Sequence, residues 1–346
     1  MSFLELLGIE LPILQAPMAG VQDSALAIAV SNAGGLGALP CAMLDATTLR
    51  AELAALRAGT DRPVNVNFFC HTPPRVDAIG ERRWREVLAP YYMEYGLDAS
   101  ATVDAPARAP FDDAAAALVE EFRPAVVSFH FGLPAPALLA RVRQAGARIL
   151  ASATTVEEAR WLDARGVDAI IAQGLEAGGH RGMFLGADPT MQSGMFALLP
   201  QIVAAVRVPV IAAGGIADAR GVSAAMALGA AAVQLGTSYL LCEEATTRPV
   251  HRAALQGEDA RHTALTNLFS GGLARGIVNR AMRELGPIHP LAPPFPLAAA
   301  AIAPLRSRAE AEGRGDFSPL WAGQNVAGCT PVSAADLTRE LAGIAG

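Results

Sequence analysis

Eight short apolar runs, each followed by a helical segment, constrain this chain more than any other feature of it. They predict strands over 12–16, 36–39, 64–68, 125–129, 148–152, 167–172, 208–213 and 232–235. Each run is apolar at successive positions instead of alternating, which suits a parallel sheet covered by helices. Between them stand helix signals: Asp23 or Ser24, Asp45, Thr155 and Asp218 at helix starts, and Gly34, Gly35 and Gly229 at helix ends. Glu158, three residues after Thr155, sits at a capping-box position. Eight repeats predict an α/β fold of the (β/α)8 barrel type. A doubly wound dinucleotide fold would need a Gly-x-Gly-x-x-Gly turn after the first strand, and that strand ends in Ala16-Pro17-Met18.

The chain is longer than such a barrel requires. Residues 1–239 are predicted to form the barrel, 240–318 a mainly helical insertion after strand eight, and 319–346 the return to the barrel. The last helix is predicted over 333–345, with Ser333 and Asp336 at cap spacing. An insertion after a strand falls on the catalytic face of a barrel, so this one is expected to act as a lid. Its Pro-rich run from His289 to Pro296 reads as a connector, and Arg275 is its candidate for approach to an anionic substrate.

The chemistry concentrates at strand ends, which a barrel brings to one face. Pro17 and Met18 follow strand one, and Asn67 stands at the end of strand three. His130 ends strand four, while Gln173, Gly178, Gly179 and His180 follow strand six. Gly214 and Gly215 follow strand seven, and Gln234, Leu235, Gly236 and Thr237 lie at strand eight. Bare backbone at Gly178 and Gly179 would admit a flat ligand, and His180 is the side chain there that can exchange a proton near neutral pH. All 27 basic residues are arginines, so a lysine Schiff base and a Gly-Lys phosphate loop are both excluded. A phosphate must then be held by backbone N–H groups, hydroxyls or arginine, and the glycines after strands seven and eight are the place for it. The amides of Asn67 and Gln173 suit a heterocycle with mixed donor and acceptor edges, which together describe flavin mononucleotide (FMN). His71 reads as a loop residue, and Glu157, Glu158 and Asp188 as caps or solvated charges.

A net charge of −6 argues against a nucleic-acid partner. Four scattered cysteines without a CxxC pair point to no metal site and to a reducing, cytoplasmic setting. No apolar run has membrane-spanning character, and the first ten residues do not read as a signal peptide.

Several segments together resemble the nitronate monooxygenase family, formerly the 2-nitropropane dioxygenases, in its bacterial class I-like form. They are Gln15-Ala16-Pro17-Met18, Ala33 to Gly37, Val64 to Phe68, Gly174 to Gly182, Pro209 to Ile216 and Gln234 to Thr237. The resemblance implies a barrel that binds FMN without a metal. It further implies oxidation of alkyl nitronates by O2 to a carbonyl compound and nitrite. Carried over by motif, Met18, Asn67, Gln173, Gly178, Gly179, Gly214, Gly215 and Gln234 to Thr237 would contact FMN, and His180 would be the catalytic histidine. FMN-dependent enoyl-ACP reductases and NAD(P)H:quinone reductases share the Ala-Gly-Gly-His core and form the alternative. The expected partners are a small nitronate and O2, in a monomer or homodimer.

Overall fold

The structure is a computed structural model and describes residues 2–75, 77–98 and 108–344. The eight predicted strands are all present: β1 Ile13–Gln15, β2 Gly37–Pro40, β3 Val64–Phe69, β4 Val126–His130, β5 Arg148–Ala153, β6 Ala169–Gln173, β7 Val210–Ala213 and β8 Ala232–Leu235. They run parallel in the order β1-β8-β7-β6-β5-β4-β3-β2. The ring closes where Leu36 N donates to Ile13 O (2.9 Å) and Gln15 N donates to Leu36 O (2.9 Å).

Both faces of the strands are buried, as their unbroken apolar character requires. In β6, Ala169 and Ile171 join the core inside the barrel, while Ile170 and Ala172 join the layer between strands and helices. Ile211 and Ala213 of β7 point inward in the same way, and Val210 and Ala212 outward. The helix Phe3–Leu7 packs against the inner core. The helix caps follow the sequence: Asp23, Asp45, Thr155 and Asp218 each accept a backbone N–H of the helix they begin. The final helix is Ala334–Leu341, capped by Ser333, and it packs on the helices Ser24–Asn32 and Ala219–Ala227. The predicted end at Ala345 lies outside the described residues.

The insertion after β8 is not only helical. Beside the helices Pro249–Gln256, Arg280–Leu285 and Ala298–Ala311 it holds two strands, β9 Thr263–Thr266 and β10 Ala274–Ile277. They form an antiparallel pair, and β10 pairs in turn with Gly179–His180, the stretch that follows β6. A two-residue strand carries no hydrophobic periodicity, so this ladder leaves no trace in sequence. The lid also has its own apolar core. Trp84, Leu88, Tyr91 and Tyr92, from the helix Ala78–Glu94 after β3, pack with Phe269, Met282, Ile302, Leu305 and Phe317. Tyr92 Oη donates to Ala301 O at 2.6 Å. A segment that sequence reading assigns to the barrel therefore completes the core of the lid. Among the described residues no helix is long and apolar enough to cross a membrane.

Gly37 opens β2 directly beneath the helix Ser24–Asn32. A Cβ there would lie 1.9 Å from the carbonyl oxygen of Ala27, which is backbone and cannot rotate away. Gly37→Ala should destabilise the protein by about 1–3 kcal/mol or more, as overpacking does. Gly186→Ala, where an added Cβ meets nothing within 4 Å, should stay within about 0.5 kcal/mol. Equal thermal melts for the two variants would refute this account of the β2 contact.

Candidate active site

The carboxyl ends of the strands surround a cavity. Every predicted site residue lines it: Met18, Asn67, Gln173, Gly178, Gly179, His180, Gly214, Gly215, Gln234, Leu235, Gly236 and Thr237. The barrel brings them together from five strand ends, as expected.

A buried amide network positions the first of them. Gln22 Oε1 accepts from Met18 N (2.8 Å) and from Gln15 Nε2 (2.7 Å), and Gln22 Nε2 donates to Ala38 O (2.7 Å). The turn at Pro17 and Met18 is thereby tied to β2. Asn67 is fixed through its Nδ2, which donates to Ser128 Oγ at 2.9 Å.

The loop from Gly174 to Gly182 is held from below. Gln173 Nε2 donates to His180 O (2.9 Å), and Gln173 Oε1 accepts from Gly182 N (2.8 Å). Gln173 lines the cavity, yet both ends of its amide brace this loop. Arg181 is buried; its guanidinium donates to Gln192 Oε1, Gly174 O and Gln173 O at 2.7–2.9 Å. Burial without a carboxylate partner brings its pKa down to about 10, with nearby Arg275 adding to the effect. His130 completes the brace. Its Nε2 faces His180 O (3.2 Å) and its Nδ1 faces Ser152 Oγ (2.6 Å). A carbonyl only accepts, so Nε2 carries the proton and Nδ1 accepts from the serine.

The His180 ring stands in an aromatic enclosure. Ring centroids lie 5.1 Å away at Phe295, 5.5 Å at Trp321, and 6.3 Å at both Phe69 and Phe131. Its Nε2 lies 2.8 Å from the hydroxyl of Ser270, a lid residue. Desolvation holds its pKa well below the ordinary value, and the positive charges of Arg108, His130 and His71 push the same way. The ring is neutral at physiological pH and can accept a proton.

A second part of the cavity wall is polar and unsatisfied. Among the described residues, the N–H groups of Gly214, Gly215, Gly236 and Thr237 donate to no protein acceptor. Gly214 and Gly215 have φ of +119° and +74°, which a residue with a Cβ rarely adopts. Gln234 Oε1 is buried without a partner. A buried amide oxygen is costly to leave unpaired, so this wall fits a polar ligand.

Three expectations need correction. Arg275 neither lines the cavity nor faces solvent; it is buried and donates through Nε to Leu175 O (2.9 Å), locking β10 to the loop after β6. Glu158 is not a solvated charge and does not complete the capping box. It is buried and accepts from Thr154 N (2.7 Å) and Phe184 N (2.6 Å). The Pro-rich run is not a mere connector, since its Phe295 covers His180 and His71. Gly178, which lines the cavity, is also constrained by packing: a Cβ would lie 2.6 Å from the backbone of Ala322 and Gly323. Sequence reading missed Gln22, Arg108, Phe131, His251, Ser270, Phe295 and Trp321. An aromatic residue inside Pro293-Pro294-Phe295-Pro296 is the one signal that could have marked any of them.

Chemistry gathered at the carboxyl mouth of a closed parallel barrel is characteristic of (β/α)8 enzymes, and this chain is one. The family profile described as nitronate monooxygenase matches residues 2–343. A nitronate monooxygenase of Paraburkholderia phytofirmans is 45% identical over 346 residues, 98% of this chain and 93% of that protein. The crystal structure of nitroalkane oxidase from Streptomyces ansochromogenes superposes with a TM-score of 0.89 at 38% identity, covering 99% of this chain and 97% of that one. FabK from Thermotoga maritima is more distant, with a TM-score of 0.72 at 28% identity over 98% of this chain and 93% of that one. The chain belongs to the nitronate monooxygenase family, and it is an oxidoreductase.

The buried histidines set a pH dependence of stability. Burial lowers the pKa of His130 and of His251, whose Nε2 donates to Trp321 O (3.1 Å), to about 4. Between about 6.5 and 4 the unfolded chain binds protons that the folded chain does not, so stability falls as the pH drops through that window. Each histidine contributes a slope of up to about 1.4 kcal/mol per pH unit. Thermal melts from pH 7.5 to 5 should show this decline. His251→Gln, which keeps a donor for Trp321 O, should make the decline shallower; an unchanged slope would exclude His251 as a source.

Proposed function

We propose that this chain is an FMN-dependent nitronate monooxygenase. It oxidises alkyl nitronates, such as propionate 3-nitronate, with O2 to a carbonyl compound and nitrite. The observation that carries this reading is the presence of two sets of groups in one cavity. One is a neutral histidine under aromatic rings; the other is a set of backbone N–H groups with no protein acceptor among the described residues, beside the unpaired Gln234 oxygen.

Those residues fit FMN. Gly214, Gly215, Gly236 and Thr237 would hold the phosphate through N–H groups, in a chain that has no lysine for the task. Met18, Asn67, Gly178, Gly179, Gln234 and Leu235 would line the ring system, with Gln173 fixing the loop beside it. When bound, FMN supplies the redox chemistry, taking electrons from the nitronate and passing them to oxygen.

The protein's own part falls to His180 and its surroundings. Its ring, held at Nε2 by Ser270, accepts the proton from the carbon next to the nitro group when the substrate arrives as a neutral nitroalkane. A preformed nitronate needs no such step, and for it the ring positions the anion. Phe69, Phe131, Phe295 and Trp321 limit water around the reacting carbon.

Purified protein should carry a flavin absorbance after reconstitution with FMN. In anaerobic mixing, propionate 3-nitronate should bleach that absorbance. Bleaching by NADPH and not by the nitronate would move the chain to the enoyl-ACP or quinone reductase reading.

His180→Asn separates base from binder. Oxidation of a neutral nitroalkane should drop about 100- to 10,000-fold, the usual worth of a general base, while oxidation of the preformed nitronate falls far less. FMN content should persist. Equal losses for both substrates with FMN retained would remove His180 from the role of base.

A further inference from the structure

A lid hydroxyl meets the His180 ring, and the hydrogen bonds around that hydroxyl have a direction. Ser270 Oγ lies 2.8 Å from His180 Nε2 and donates to Gly272 O in a longer contact of 3.4 Å. A carbonyl oxygen only accepts, and a serine has a single hydroxyl proton. With that proton on Gly272 O, Oγ can only accept from Nε2, so Nε2 carries the ring proton. The reverse arrangement leaves two groups unpaired. Ser270 would donate to Nε2, the ring proton would sit on Nδ1, and among the described residues nothing accepts from Nδ1. Gly272 O would lose its donor as well, since no backbone N–H among the described residues serves it.

The fold fixes this hydroxyl. Ser270 is 1% exposed and stands in a turn closed by Gly271 N, which donates to Asn267 O at 2.8 Å. A Cβ on Gly271 would lie 2.0 Å from Pro293 O, so the turn is packed tightly against the Pro-rich run. Just beyond it, Leu273 O accepts from Arg181 N at 2.8 Å, one residue from His180. The backbones that carry the serine and the histidine are therefore tied together. With Nε2 turned to the lid, the ring keeps its lone pair on Nδ1. His180 lines the cavity, and Nδ1 is the nitrogen left for a substrate there.

We propose that Ser270 is a positioning residue that holds His180 in its Nε2–H tautomer, so that the proton of a neutral nitroalkane is taken on Nδ1. This rests on the nitronate reading above. In the step, the C–H bond next to the nitro group breaks and its electron pair stays on the substrate, which becomes the nitronate. The proton forms the new Nδ1–H bond, and the ring becomes an imidazolium. Ser270 Oγ accepts from Nε2–H before and after the transfer, and the bond strengthens as the ring gains charge.

The test starts with FMN-loaded protein carrying 15N-labelled histidine at pH 7.5. Long-range proton–nitrogen correlation spectra distinguish protonated from bare ring nitrogens. The chain has six histidines, and the signals missing from His180→Asn identify those of His180. They should show Nε2 protonated and Nδ1 bare. A protonated Nδ1 would overturn the assignment. The second arm compares FMN-loaded wild type and Ser270→Ala on nitroethane and on ethyl nitronate. The variant's kcat for nitroethane should fall about 10- to 100-fold, the worth of a hydrogen bond to a charged group. The loss with ethyl nitronate, which needs no proton abstraction, should be at least tenfold smaller. A merely structural role would lower both rates together, so equal losses, or no loss with nitroethane, would remove Ser270 from this role. Wild type that oxidises ethyl nitronate and not nitroethane would overturn the proposal while leaving the nitronate reading intact. If the spectra show the expected tautomer and neither substrate is oxidised, the Ser270–His180 pairing stands and the nitronate reading fails.

Discussion

The carbonyl oxygen of His180 is the point on which this site depends. It accepts from Gln173 at 2.9 Å and faces His130 at 3.2 Å, so strands β6 and β4 grip one peptide between them. Two residues pair with β10 of the lid at the same place, Gly179 with Arg275 and His180 with Ala274. The barrel and the insertion thus hold the same peptide from two sides. That leaves the His180 ring few orientations, and Ser270 of the lid meets its Nε2. A catalytic group gains from such bracing because its rotamer no longer has to be selected at each turnover.

The electrostatics follow from that arrangement. The loop is braced by a buried arginine and a half-buried histidine, neither of which has a carboxylate partner, and the cavity lining has none either. Burial and like charge both favour neutral histidines, so the site offers proton acceptors next to a cationic wall. This combination suits substrates that bring negative charge with them. It also makes the fold vulnerable to acid, since the same histidines resist protonation while folded.

Much of the framework was legible in the sequence. The apolar runs located all eight strands, and the capping residues Asp23, Asp45, Thr155, Asp218 and Ser333 began the helices they were expected to begin. Glycines and amides at strand ends marked the cavity, because a parallel barrel sends every strand end to one face. The lid was less legible. Its two strands are only four residues each, and its core borrows Trp84, Leu88 and Tyr92 from a helix some 200 residues earlier, as the pairing of Tyr92 with Ala301 shows. Local periodicity carries no information about such a distant partner.

Arg108 and Arg275 show the division most clearly. Both are arginines in irregular or lid sequence, and nothing in their neighbours distinguishes a residue of the cavity wall from a structural clamp. Arg275 became the clamp because β10 carries it against Leu175 O, and Arg108 became part of the cavity wall because the chain after β3 returns beside Phe295. Glu158 likewise reads as a cap until the fold buries it against Phe184. The sequence by itself determined the barrel, the position of its mouth and the histidine placed there, since strand period, capping chemistry and glycine placement act over a few residues. Only the tertiary structure decided which charges are buried, which are paired and which face the cavity. Those properties are set by the low dielectric and by partners that lie tens or hundreds of residues away.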